Sequence, residues 1–260
     1  MPVVILCGGK GTRIRDVSDL VPKPMVPIGG NPILWHIMKI YAHHGFNNFI
    51  LCLGFKGWSI KEYFLNYRAV RQDVRVSLAR GDTELLGTTI LDDWEVTLAE
   101  TGEETMTGGR LVRVRKYLEN SDAFMMTYGD GVSNVDLREL LDFHLQHGKA
   151  ATVTGVFPGG RFGEISAGPD GQVTEFDEKP PEGAGLVNGG FFVFDSKRIW
   201  NYLEGDSTLT FEREPMRRLA KDRQLMVWPH RGFWQPMDTM REYLLLNEQW
   251  NRGDAKWRVW

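Results

Sequence analysis

The chain has 260 residues, is 42% hydrophobic and 25% charged, and carries a formal charge of −3. That length buries a substantial core without disulfide or metal staples, and the near-neutral balance with no long basic run argues against nucleic acid as a partner. No apolar stretch is long enough to span a bilayer, the first strand starts at once with no room for a signal peptide, and Cys7 and Cys52 read as reduced core residues, so the expectation is a soluble, cytoplasmic protein.

Val3-Val4-Ile5-Leu6 reads as a short buried strand running into Cys7-Gly8-Gly9-Lys10-Gly11-Thr12-Arg13. Glycines at a strand end allow a sharp turn and a close approach of backbone N–H groups to phosphate oxygens. Arg13 and Lys23 add two cations at the same mouth, which suits a triphosphate better than a neutral ligand. The string fits neither the dinucleotide G-x-G-x-x-G pattern nor a Walker A loop, and Gly8-Gly9 alone is equally an ordinary strand-to-helix turn. Next, Asn31 as cap and Pro32 at the first helical position predict a helix over 33–44, stopped by Gly45. Residues 49–53 form a second buried strand and 59–67 an amphipathic helix. Strands follow over 75–79 and 95–99, a helix over 109–118, a strand over 123–128 and a helix over 135–147 that ends at Gly148.

Strands separated by helices specify an α/β fold: a doubly wound, mixed but mostly parallel, Rossmann-like sheet. Ligands of such sheets sit beyond the carboxyl ends of the strands, where the glycine loop and Asp130 both fall. The second half is richer in strands, over 151–157, 164–166, 172–177 and 187–194, with Gly168-Pro169-Asp170-Gly171 as a hairpin turn and helices over 196–203, 211–222 and 240–250. It predicts a smaller strand-rich lobe within one domain, the halves spanning about 1–135 and about 150–240.

Asp130, between Gly129 and Gly131, either reaches a ligand or caps a turn. Asp238 stands just before a helix and reads, on sequence alone, as its N-cap. His144 and His147 are three apart on a helix, but with no third ligand in the pattern they read as a solvated face rather than a metal site.

The string Leu6-Cys7-Gly8-Gly9-Lys10-Gly11-Thr12-Arg13-Ile14 with Lys23 resembles the signature of the sugar-1-phosphate nucleotidylyltransferases. Met106-Thr107-Gly108-Gly109-Arg110-Leu111, Tyr128-Gly129-Asp130-Gly131, Asn188-Gly189-Gly190-Phe191-Phe192 and Phe233-Trp234-Gln235-Pro236-Met237-Asp238-Thr239 are similar to the cytidylyl branch of that family, in one register along almost the whole chain. The resemblance implies Mg2+-dependent transfer of CMP from CTP to α-D-glucose 1-phosphate, giving CDP-glucose and pyrophosphate. It implies that Arg13 and Lys23 bind the triphosphate and stabilise the α-phosphate, with Asp130 as third catalytic residue, and that Asp130 and Asp238 hold the metal. Leu6, Cys7, Gly8, Gly9, Gly11, Thr12, Thr105, Thr107 and Arg110 would surround the cytidine nucleotide, and Gly163, Glu178, Lys179, Asn188 and Gly189 the hexose and its phosphate.

Cytosine offers acceptors at O2 and N3, so Arg110, which only donates, can serve it but cannot accept from N3–H of uracil. The resemblance also implies a homo-oligomer, often a hexamer, and Trp250, Trp257 and Trp260 suit docking onto a neighbouring subunit. The same chemistry with UTP, dTTP or another sugar phosphate stays open, because the likeness is weakest over 80–89. A non-catalytic nucleotide-sugar-binding paralogue is the alternative of another class; the joint presence of Arg13, Lys23, Asp130 and Asp238 weighs against it.

Overall fold

The computed structural model describes residues 1–9, 21–87, 92–157, 164–167, 173–177 and 186–260. Pro2–Leu6 (β1) is buried at every position, as a parallel strand covered on both faces must be. A 3-10 turn, Lys23–Met25, leads to a short ladder of Pro27–Ile28 (β2) with Asn31–Pro32 (β3), then to the helix Ile33–His43 (α1). Asn48–Leu53 (β4), the helices Gly57–Leu65 (α2) and Tyr67–Arg71 (α3), and the hairpin Asp73–Ser77 (β5) with Asp82–Leu86 (β6) follow. Glu95–Glu100 (β7), Thr107–Val114 (α4), Ala123–Tyr128 (β8), Gly131–Ser133 (β9) and Leu137–His147 (α5) complete the first half. The second half holds Ala151–Val156 (β10), Glu164–Ala167 (β11), Val173–Asp177 (β12) and Val187–Asp195 (β13). Glu214–Lys221 (α6), Leu225–His230 (β14), Trp234–Pro236 (β15) and Met240–Arg252 (α7) follow them.

Seven strands form one sheet in the order β14-β10-β13-β8-β1-β4-β7. Every pairing in it is parallel except those of β13, which runs antiparallel to both β8 and β10. The sheet is thus the mixed, mostly parallel one that the alternation of strands and helices specifies. Strand alternation splits the core into two layers. Val3 and Ile5 of β1 face α1 and the C-terminal aromatics, whereas Val4 and Leu6 face α4 with Phe124, Phe192, Phe194 and Phe211.

Several strands of the second half, β10, β13 and β14, extend this sheet, and β11 with β12 makes a separate two-stranded ladder. The run Phe191-Phe192-Val193-Phe194 is buried throughout, which needs a neighbour on each side and cover on each face. Strand β14 is not evident from the sequence because Pro229 and the flanking polar residues break its pattern. The Gly168–Gly171 turn lies outside the described residues; the strands on either side of it do pair antiparallel.

Three local expectations change. Asn31 does not cap α1: it pairs with Ile28 in the β2–β3 ladder, and Pro32 takes the cap position with no side-chain bond. The segment 196–203 makes only a 3-10 turn, Ile199–Tyr202. His144 is buried and His147 half-buried rather than both forming a solvated face; both rings reach the Thr152 hydroxyl, at 2.8 and 2.7 Å.

The C-terminal tryptophans fold back on their own chain. Trp250, Trp257 and Trp260 stand 4.6, 6.0 and 6.2 Å from the His36 ring, centroid to centroid. Trp257, fully buried, donates Nε1–H to His36 Nδ1, leaving Nε2–H for the Ile28 carbonyl at 2.9 Å. Trp257 is therefore unavailable to a neighbouring subunit. Burial among these rings lowers the His36 pKa to about 4.

Candidate active site

The small ladder of β9 with β15 assembles the charged centre. It pairs Gly131 with Pro236, and the Met237 N–H donates to the Asp130 carbonyl at 2.8 Å, so residues at 130 and 238 become spatial neighbours. The cap of α7 is Thr239, whose hydroxyl accepts from the Glu242 N–H while the Glu242 carboxylate accepts from the N–H groups of Thr239 and Asp238. The capping task read for Asp238 thus falls to its neighbour, and the Asp238 carboxylate faces inward instead. Lys23 arrives from the 3-10 turn after β1, where Pro24 packs against Gly129; a Cβ on Gly129 would stand 3.0 Å from the Pro24 ring.

The three side chains meet. Lys23 Nζ donates to Asp130 Oδ2 and to Asp238 Oδ1, both at 2.6 Å. Burial opposes the Lys23 charge, but Asp130 and Asp238 more than offset it and hold the pKa above the usual lysine value. Two carboxylates that close on one ammonium can close on one divalent cation, with substrate oxygens and water completing a hard-ion coordination shell. Asp130 and Asp238 therefore have the chemistry to fit a hard divalent cation. Among the described residues no group of three or more His, Cys, Asp or Glu side chains is placed to hold a metal.

Arg110 lies under the glycine loop, only 4% exposed. Its Nη1 donates to the Leu53 carbonyl, the Thr101 hydroxyl and the Gly102 carbonyl at 2.8–2.9 Å, and its Nη2 to the carbonyls of Gly8 and Glu103 at 3.0 and 3.3 Å. One planar fork thereby ties the end of β1, the end of β4 and the loop after β7. The contact requires glycine above it: a Cβ on Gly8 would fall 2.0 Å from Arg110 Nη1, and one on Gly54 2.5 Å away. In this structure its terminal nitrogens are spent on the protein rather than turned to a base. Leu6 and Cys7 stand where the loop begins, with Cys7 N–H bonded to the Cys52 carbonyl at 3.1 Å. Both thiols are free and buried; burial pushes the Cys7 pKa well up and that of Cys52 to about 12, so neither is a nucleophile.

A cleft opens beside Asp130, lined by Tyr128, Asn188, Gly189, Gly190 and Trp234. Gly190, at φ +80°, makes room for the Tyr128 ring, 2.8 Å from where its Cβ would be. Trp234 Nε1 donates to the Gly189 carbonyl at 2.7 Å, and Asn188 Oδ1 accepts from the Gly190 N–H at 2.8 Å. Glu212, outside the lining of the cleft, bonds to Tyr128. Its carboxylate accepts from the Tyr128 hydroxyl at 2.6 Å and from the Thr107 hydroxyl at 2.5 Å. Burial, then Glu212, raises the Tyr128 pKa, so the phenol keeps its proton.

Of the residues singled out on sequence, Lys23, Asp130 and Asp238 touch, Asn188 and Gly189 line the cleft beside them, and Gly8 is bound to Arg110. Thr107 opens α4, and Thr105, buried, precedes it. Gly9 stands at the last described position of the loop, while Gly11, Thr12, Arg13, Gly163, Glu178 and Lys179 lie outside the described residues. Tyr128, Glu212 and Trp234 were not singled out. Tyr128 and Trp234 stand within motifs already noted, but Glu212 sits in a segment with no pattern of its own.

The nucleotidyl transferase family profile matches residues 2–251. Glucose-1-phosphate cytidylyltransferase of Salmonella typhi is 48% identical over all of this chain and all of its own length. The chain belongs to the nucleotidyl transferase family. Within that family it groups with the glucose-1-phosphate cytidylyltransferases, since a probable one from Bacillus subtilis is also 45% identical over both full lengths. HddC from Yersinia pseudotuberculosis, at 23% identity, shares the nucleotidyl transferase fold with a TM-score of 0.68 over 96% of this chain and 99% of its own. A putative glucose-1-phosphate thymidylyltransferase from Bacillus anthracis, 17% identical, gives 0.67 over 95% and 94%.

Proposed function

We propose that this nucleotidyl transferase moves CMP from CTP to α-D-glucose 1-phosphate, forming CDP-glucose and releasing pyrophosphate. The observation that carries the reading is the convergence of Lys23, Asp130 and Asp238 at the carboxyl end of β8, in a chain similar along its whole length to glucose-1-phosphate cytidylyltransferases. The attacking oxygen belongs to the sugar phosphate and is already ionised at neutral pH, so no strong general base is needed. Catalysis then rests on alignment and on neutralising charge at the α-phosphate.

Magnesium held by Asp130 and Asp238 would neutralise triphosphate charge. Lys23, kept protonated by its two carboxylates, is placed to pair with the same oxygens, and Arg13 is assigned there by family resemblance. Gly163, Glu178, Lys179, Asn188 and Gly189 are assigned to the hexose phosphate on the same ground, which the position of Asn188 and Gly189 beside Asp130 supports. Leu6, Cys7, Gly8, Gly9, Gly11, Thr12, Thr105 and Thr107 are assigned to the nucleotide. Arg110 serves base choice by fixing the loops at Gly8 and over 101–103.

No described helix is long and apolar enough to cross a membrane. A homo-oligomer fits the surface: Val76 and Leu78 of the lone β5–β6 hairpin region are 56% and 92% exposed, beside exposed Trp58, Leu65 and Val70. The test is pyrophosphate release with magnesium and glucose 1-phosphate, comparing CTP, UTP, dTTP, ATP and GTP. Turnover with CTP alone is expected; turnover with UTP or dTTP instead would overturn the base assignment and keep the chemistry.

A further inference from the structure

Glu212 belongs to none of the motifs that mark the site, yet its carboxylate joins Tyr128, which lines the cleft, to Thr107 of α4. One oxygen accepts from Tyr128 at the end of β8, the other from Thr107 at the start of α4. The segment that carries it is clamped to α4: Met106 N–H donates to the Ser207 carbonyl and Gly109 N–H to the Leu209 carbonyl, while Phe211 N–H donates to Thr107 Oγ at 2.9 Å. Side chains at 108 and 109 would strike Leu209 and the Asp206 carbonyl, so the two glycines admit the segment. The backbone that leads into Glu212 is thereby held against α4.

The consequence is chemical. A phenol has one proton to donate and two lone pairs to accept with. An ionised carboxylate only accepts, so the Tyr128 proton points at Glu212 and the Tyr128 oxygen faces the cleft as an acceptor. Among the described residues its hydrogen-bond neighbour there is Asn188 Nδ2, 3.5 Å away, at the outer limit of a hydrogen bond and readily exchanged for a better donor. We propose that Glu212 is a positioning residue for the hexose: it fixes the Tyr128 oxygen as an acceptor for a sugar hydroxyl, with the Asn188 amide as the donor beside it. The inference rests on reading this cleft as the sugar-phosphate side of the site.

A glutamine at 212 can accept from only one of the two hydroxyls, and its amide would donate to Tyr128 and reverse that hydroxyl's role. Steady-state kinetics with magnesium, CTP and glucose 1-phosphate on the full chain test this. Glu212→Gln should raise KM for glucose 1-phosphate about tenfold, the worth of one well-made hydrogen bond, with kcat, KM for CTP and thermal stability within about twofold or a few degrees. Glu212→Asp, which keeps both acceptors, should restore most of the loss. In a Tyr128→Phe background Glu212→Gln should add nothing further, because both changes remove the same interaction. An unchanged KM for glucose 1-phosphate, equal rises for both substrates, or full additivity with Tyr128→Phe overturns the role of Glu212. Asn188→Ala separates the two layers of the argument: if it raises that KM while Glu212→Gln does not, only the Glu212 inference fails, and if Asn188→Ala and Tyr128→Phe both leave it unchanged, the reading of the cleft fails with it.

Discussion

Two partly or wholly buried cations flank the phosphate loop, and they serve it in opposite ways. Lys23 spends its charge on two mobile carboxylate side chains, whereas Arg110 spends its fork on backbone carbonyls and a threonine hydroxyl. The residue types suit the tasks. An ammonium is a compact point charge on a flexible stem and exchanges partners at small cost; a planar guanidinium matches several fixed acceptors at once. A cation beside a glycine loop is therefore not by its charge alone a ligand contact, and its partners distinguish moving parts from frame.

The comparison breaks most visibly at the charged end. Asp130→Asn should lower turnover by roughly a hundredfold or more, the scale for losing one preorganised charge contact in the transition state, with the melting temperature almost unchanged. Near-normal turnover would remove Asp130 from metal binding and phosphate chemistry. At the frame end the signature should invert. Arg110→Lys replaces a planar fork that reaches the Leu53, Gly102, Gly8 and Glu103 carbonyls together with a single ammonium that cannot span them, and should cost about 1–3 kcal/mol of stability, read as a shift in the urea midpoint. A midpoint equal to wild type, with KM for CTP alone increased, would return Arg110 to direct base contact.

The smallest effect sharpens the contrast through pH. The raised pKa of Lys23 means its stabilising charge is fully present below the ordinary lysine value and is lost only as pH climbs through the raised one, so acid leaves that cation intact. Acid sensitivity should come from elsewhere. His36 and His144 are buried, and burial lowers each pKa to about 4. Between roughly pH 6.5 and 4 the unfolded chain binds protons that the folded chain refuses, so stability falls on acidification by up to about 1.4 kcal/mol per pH unit for each group. His144→Gln should flatten part of that slope in denaturation curves between these limits; an unchanged slope would mean that His144 titrates alike folded and unfolded.

Much of this was legible in the sequence. Strand–helix alternation specified the sheet, and the glycines at 8 and 9 with Asp130 fell at one mouth of it, whereas Asp238 read on sequence alone as a helix cap. What stayed hidden was set by long-range packing. Pro229 concealed β14, which is stable only as the parallel partner of β10. The tryptophans at the C-terminal end looked like an outward surface because their partner, His36, is 221 residues from Trp257. Glu212 had no signal at all, since its role arises only once a loop after β13 lies across α4.

The reach of the Lys23–Asp238 contact bears on how the molecule is made. These side chains are 215 residues apart, and the ladder that brings Asp238 to Asp130 needs β15, near the end of the chain. During synthesis the phosphate loop and the first carboxylate emerge early, while the second carboxylate comes after nearly all of the sheet. A nascent chain holds most of the scaffold but not the completed charge triad, so the contact of Lys23 with both carboxylates closes as one of the last events of folding rather than growing with the protein.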